Sequence, residues 1–162
     1  MTGANKQEVM RIVDQYDRAI EGNAWHGDPV WMILRSLKAD QVFRRLRPQT
    51  NAIWELVAHM TFWETEVCHR LEGTSPPPDE SLNFPLMPEA TSENWRVALD
   101  RFRESNTRFR KALLQLDDSM LDKPLSAPHK SIYVEVNGVI QHHLYHAGQI
   151  AFLGKAQQKL QP

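Results

Sequence analysis

A single cysteine, Cys68, leaves this 162-residue chain without a partner for an internal disulfide. Nothing in it demands an oxidising compartment. No apolar run approaches the roughly 18 residues that a membrane span needs, and the opening MTGANKQEVMR lacks the apolar core of a secretion signal. An excess of one charge is missing too. Lys and Arg number 19 against 20 Asp and Glu, a formal net charge of -1, so no bulk field draws in nucleic acid or an acidic membrane. Strand-like alternation, internal repeats and low-complexity tracts are almost absent. The expectation is one cytoplasmic domain spanning residues 1–162, with no nucleic-acid and no membrane partner. At 41% apolar residues, a chain of this length can bury a core without covalent staples.

What is present reads as helix. Val9, Ile12, Val13, Tyr16, Ala19 and Ile20 recur at three- and four-residue steps, the stripe of an amphipathic helix over about 5–22. Gly22, Gly27 and Pro29 break it, and a short helix through Trp31, Leu34 and Leu37 follows. Ile53, Leu56, Val57, Met60, Trp63 and Val67 mark the inner side of a second long helix, which Gly73 ends. Five prolines crowd the stretch 73–88, GTSPPPDESLNFPLMP, and forbid regular helix or central strand there. It is expected to drape across the other elements, as long ordered loops at functional sites do. Thr91 or Ser92 caps a third helix with Trp95, Phe102, Phe109 and Leu113 on its stripe. After a second irregular stretch, DKPLSAPHKS, a fourth helix covers about 133–156. The fold class is therefore all-α: a four-helix bundle with a long crossover loop and a short extra helix.

Five tryptophans and seven histidines are many for this length. His142 and His146 lie four residues apart, so on a helix they sit about 40° apart on one face, a turn from each other. Val139, Ile150 and Leu153 share that face, which turns the pair inward. His59 stands among Leu56, Met60 and Trp63 and should face inward as well. A buried imidazole needs partners for its nitrogens, and one ion bound by ligands from two helices would serve all three. The plainer alternative stays open: such a pair is often merely packed, and a lone inward histidine is often a hydrogen-bonded core residue.

The remaining candidates divide by angle. His143 is rotated about 100° from His142 and is expected at the surface or an interface, and His69, about 280° around from His59, in solvent. Cys68 reads as a buried, inert thiol. Glu55 and Glu66 read as surface carboxylates rather than bases. Gln149, three residues past His146, would either orient a ligand or pack between helices. His26 is the best further catalytic candidate, on a loop able to fold over the open end of the bundle, with Trp25 beside it. His129 could cover the site or lie free on its loop, and Tyr145 could be an acid or a dimer contact. Trp25, Trp31, Trp63 and Phe84 would wall a mainly apolar pocket. Basic residues such as Arg44, Arg45, Arg47, Arg108, Arg110 and Lys111 are balanced by acids and fit solvated helix faces.

Two segments resemble a known family. The run 53–59, IWELVAH, followed by Trp63, is similar to the second-helix signature of the DinB-like metal-binding bundles. The run 138–150, GVIQHHLYHAGQI, resembles their last-helix signature, an HxxxH followed by GQI, and Trp25-His26-Gly27 resembles a motif of one branch. Order and spacing agree over about 6–156. The resemblance implies metal ligands at His59, His142 and His146, zinc or nickel as the divalent metal, and a homodimer. It also implies a metal-dependent hydrolase or thiol transferase acting on a small molecule. Two departures, His143 in place of an acidic residue and Asn137 in place of a histidine, would alter the rim of the site without removing a ligand. A non-catalytic metal-binding or stress-response dimer, and a plain helical interaction module, are the competing readings.

Overall fold

In the computed structural model, described over residues 5–74, 76–125 and 130–158, the apolar steps of the first segment close as α1 (Gln7–Ile20). Lys6 offers it no side-chain cap. Asp118, more than a hundred residues later, accepts from the backbone N–H groups of Glu8 and Val9 at 3.0–3.1 Å instead, so a distant carboxylate satisfies the orphan donors. The single short helix expected next is two, α2 (Val30–Arg35) and α3 (Ala39–Val42). The break comes at Ser36, whose hydroxyl turns back to the Ile33 carbonyl. Gln41 then reaches back to the Lys38 N–H at 3.0 Å and starts α3.

Helix α4 (Ile53–Leu71) starts at an alanine, and Glu55 accepts from the Ala52 N–H at 2.8 Å, half of a capping box. Gly73, at φ 68°, takes the left-handed conformation that closes it. The proline-rich connection holds one tight turn, Glu80–Leu82, initiated by Asp79. Thr91 then caps α5 (Ser92–Gln115) by accepting from the Asn94 N–H. A second short turn, Asp118–Met120, leads toward α6 (Ile132–Gln158). No strand occurs among the described residues, and no described helix is long and apolar enough to cross a membrane.

Side-chain pairings give the helix directions. Glu64 meets Ser105 and Asn106 while Glu72 meets Arg108, so α4 and α5 advance together and are parallel. Arg70 pairs with Glu135 and His59 meets His142, which sets α6 antiparallel to α4. Asp17 pairs with Arg110 and Glu21 with Arg103, so α1 runs against α5. Two neighbouring parallel helices require a crossover the length of the bundle, and the proline-rich stretch supplies it.

The core is filled by fully buried Leu34, Ile53, Met60, Phe102, Phe109 and Ile150. A polar layer crosses it. The buried Glu64 carboxylate accepts from Tyr16 Oη at 2.6 Å, Asn106 Nδ2 at 2.8 Å and the Ser105 hydroxyl, and Asn106 accepts from the Trp31 indole at 3.0 Å. Three donors satisfy the buried carboxylate. Burial nonetheless pushes its pKa up to about 7, against the opposing pull of those donors.

Candidate metal centre

Helix α4 carries His59 and α6 carries His142 and His146 to one point between them. His142 Nε2 lies 3.0 Å from His59 Nε2 and 3.0 Å from His146 Nε2, with ring centroids 4.4–4.9 Å apart. His59 and His142 are half-buried and His146 is buried. Burial lowers the pKa of all three. For His142, with repulsion from His146 and His59 added, it falls to about 4. All three rings are neutral at pH 7, the form that ligates a metal.

The outer nitrogens decide which way the lone pairs point. His59 Nδ1 donates to Asn83 Oδ1 at 2.6 Å, and His146 Nδ1 donates to Gln149 Oε1 at 2.7 Å. A neutral ring protonated at Nδ1 is bare at Nε2. Two lone pairs therefore face His142 Nε2, and a proton there can serve only one of them. A cation at the convergence point serves all three nitrogens, so this donor set fits a divalent ion.

The crossover loop also touches the site. Phe84 stacks on His59 at 4.4 Å with 17° between planes, and Trp63 meets the same ring edge-on at 6.5 Å. Tyr145, largely exposed, stands edge-on to His146 at 5.0 Å. Asn83 escaped the sequence reading, because an asparagine in a loop carries no periodicity. Its only signal was the expectation that the loop drapes over the bundle.

Several other candidates lie elsewhere. His143 is 0% exposed, contrary to the surface position expected of it, and packs edge-on to Tyr16 at 6.4 Å and against Phe102 at 5.5 Å. Helix α6 has neighbours on more than one side, so a 100° rotation moves a residue from the site into the core, not into water. Burial drives the His143 pKa down to about 3, and its nearest side-chain acceptor, Glu64 Oε1, is 3.8 Å away. Glu55 and Glu66 are buried rather than on the surface. Glu55 pairs with Arg45 and caps α4, whereas Glu66 approaches His69 only to 3.7 Å. His69 is half-buried and meets Arg108 at 3.2 Å instead of standing in solvent. Trp31 is a buried residue that donates to Asn106 and lines a different pocket, with Tyr16 and Arg103, which contains none of the three imidazoles.

The Cys68 thiol is buried as expected, and burial pushes its pKa up to about 12 with help from Glu64. Arg108 and Arg110 sit in ion pairs with Glu72 and Asp17. Trp25 is 100% exposed, and His26 lies exposed in the turn before α2 with no bond or ring contact to the three imidazoles. His129 lies outside the described residues.

Residues 24–150 match the family model of the DinB superfamily. The chain belongs to the DinB superfamily. No curated protein and no solved structure matches it. The matched segment of this DinB-superfamily chain contains all three histidines, the crossover loop and Gln149. DinB-like proteins bind divalent metals, and the three imidazoles here could hold such an ion. An all-imidazole set accepts zinc, nickel, copper and iron alike.

Proposed function

We propose that this DinB-superfamily protein is a metal-dependent enzyme acting on a small molecule, with His59, His142 and His146 as its metal ligands. The observation that carries this reading is the convergence of three Nε2 atoms, two of them, on His59 and His146, with lone pairs aimed inward by Asn83 and Gln149. When bound, a divalent ion on neutral imidazoles acidifies water toward neutrality or stabilises a thiolate, so hydrolysis and thiol transfer are both open. Three protein ligands leave coordination room for a substrate. Gln149 holds the proton on His146 Nδ1 and Asn83 holds the one on His59 Nδ1. Phe84, Trp63 and Tyr145 form an aromatic rim that limits water at the site.

No carboxylate hydrogen-bonds any of the three imidazoles among the described residues, and Glu55 is engaged by Arg45. Neither chemistry needs a protein base once the ion holds water as hydroxide or a thiol as thiolate, so both stay within the proposal. Zinc or nickel is the proposed ion, a homodimer the proposed assembly and the cytoplasm the proposed location. His26 would join the chemistry only if its turn folds over the rim.

Elemental analysis of untagged protein tests the ligand set. About one divalent ion per chain in wild type, lost in His59→Ala, is expected; unchanged metal content in that variant would refute the triad. A screen pairing low-molecular-weight thiols with electrophiles, and ester or amide substrates without thiol, separates the two chemistries. Metal-dependent turnover in one arm is the expected outcome, and the arm that turns over assigns the chemistry. Full metal content with no turnover in either arm would replace the proposal with a non-catalytic metal-binding dimer, and His26→Ala with wild-type turnover would remove His26 from the mechanism.

A further inference from the structure

A second cavity, of about 690 Å³, lies between the α4–α5 groove and the crossover loop and contains none of the three metal-centre histidines. It follows α4 from Trp54 to His69, a span of about 22 Å at the rise of an α-helix. That volume and length admit an extended hydrocarbon chain along the groove. The roof includes Pro76, Pro77, Pro85 and Pro88. Proline rings have a fixed φ and no N–H, so this roof is stiff and offers apolar surface in place of donors. Leu82 and Leu86 on the same roof are 57% and 98% exposed, apolar groups with little protein packed over them.

The channel has polar features at both ends. The Trp54 indole N–H is buried and has no acceptor. At the other end a guanidinium can only donate, so Arg108 fixes His69 Nε2 as an acceptor at 3.2 Å, and the proton sits on Nδ1. That Nδ1–H is also buried without an acceptor, since Glu66 at 3.7 Å is out of reach. Both donors are sealed from the channel as well as from water, which leaves Arg101 as the cation that a ligand there can meet. Arg101 lines the channel and makes no ion pair among the described residues. The carboxylates of Asp79, which already accepts from Ser81, and of Glu66 share the wall.

From this geometry we infer a binding site for an unbranched fatty carboxylate, its hydrocarbon under the proline-rich loop and its carboxylate paired by the Arg101 guanidinium. The stiff proline roof takes the hydrocarbon. A neutral acyl amide of the same length lacks the charge that Arg101 pairs and serves as the control. The site is independent of the metal, so its failure would leave the proposed metal chemistry standing.

Fluorescence enhancement of the polyene fatty acid cis-parinaric acid on the metal-loaded full chain tests it, with dodecanoate, dodecanamide and short butyramide as competitors. Saturable binding, displaced by the long-chain competitors and not by butyramide, is expected. Thr65→Phe, which fills the middle of the channel from a half-buried wall position, should weaken it at least tenfold while metal content and helical circular dichroism stay unchanged. Arg101→Gln should weaken dodecanoate and leave dodecanamide, the poorer competitor, unchanged; dodecanamide competing as well as dodecanoate in wild type, or dodecanoate unaffected by Arg101→Gln, overturns the carboxylate assignment. Absence of saturable binding by any long-chain probe, or wild-type binding in a correctly folded Thr65→Phe variant, overturns the site.

Discussion

His142 and His143 are neighbours in the chain, yet they occupy two regions with opposite physics. His142 lies half-buried at the metal centre, where its Nε2 faces two other bare nitrogens and the site opens toward solvent. His143 sits in the polar layer of the core, where Glu64 is satisfied by Tyr16, Ser105 and Asn106 without it. In the first region three ring nitrogens converge with at most one proton among them, the signature of a cation site. In the second, donors surround one acceptor, the signature of a satisfied buried carboxylate. Residue type is the same in both, and the surrounding hydrogen-bond balance separates a candidate reactive site from a structural one.

Four measurements press on that contrast, beginning with the largest effect. His142→Ala should abolish stoichiometric metal binding while leaving the metal-free fold intact, as elemental analysis and thermal melting would show together. Wild type at a hundredfold excess of free ion over Kd should gain about 2.7 kcal/mol, so a chelator should lower its Tm by roughly 5–10 °C. The chelator should leave His142→Ala unmoved.

Glu64→Ala reverses the pattern. It strands three buried donors and should destabilise the protein by about 3 kcal/mol or more, read from urea unfolding, with metal content per folded chain unchanged. Loss of metal in that variant would join the two regions that the geometry separates. Smaller still is Asn83→Ala. Freeing His59 Nδ1 from its acceptor should weaken metal affinity about 10- to 100-fold in a competition titration, with a stability change within about 0.5 kcal/mol.

The smallest effect is on pH dependence in the metal-free protein. Glu64 titrates near 7 folded against 4.5 unfolded. Between those values the folded state binds more protons, so its contribution is complete below 4.5 and is lost as pH rises through 7. His142 and His143 titrate at about 4 and about 3 folded against 6.5 unfolded. Their contribution is complete above 6.5 and is lost as pH falls toward 4 and 3. From 4.5 to 6.5 the two slopes oppose each other. Glu64→Gln removes the falling one, so stability in that window should climb more steeply with pH, by up to about 1.4 kcal/mol per pH unit. An unchanged slope in a urea series would mean that Glu64 titrates as an ordinary carboxylate.

Helix periodicity made much of this legible in the residues themselves. The stripes of α1, α4, α5 and α6 marked four long helices, and the spacing of His142 and His146 placed both on one face, because an α-helix fixes the angle between any two of its residues. The prolines of 73–88 announced a long crossover for the same local reason. The inward side of His59 was readable from its apolar neighbours, and the likeness of 138–150 to a family signature made the triad specific.

Only the packed molecule decided what stands opposite each angle. The periodicity put His143 off the shared face correctly, but whether that direction held water or Tyr16 and Phe102 depended on how many neighbours α6 has. Glu55 and Glu66 were misplaced on the surface for the same reason, and Asn83 was invisible because a loop residue reaches its partner through tertiary folding alone. The order and angles of residues along each helix were set by local backbone geometry. The parallel pairing of α4 with α5, the tilt of the lone pairs toward one point and the channel beneath the loop came from contacts between segments far apart in the chain, which no local rule contains.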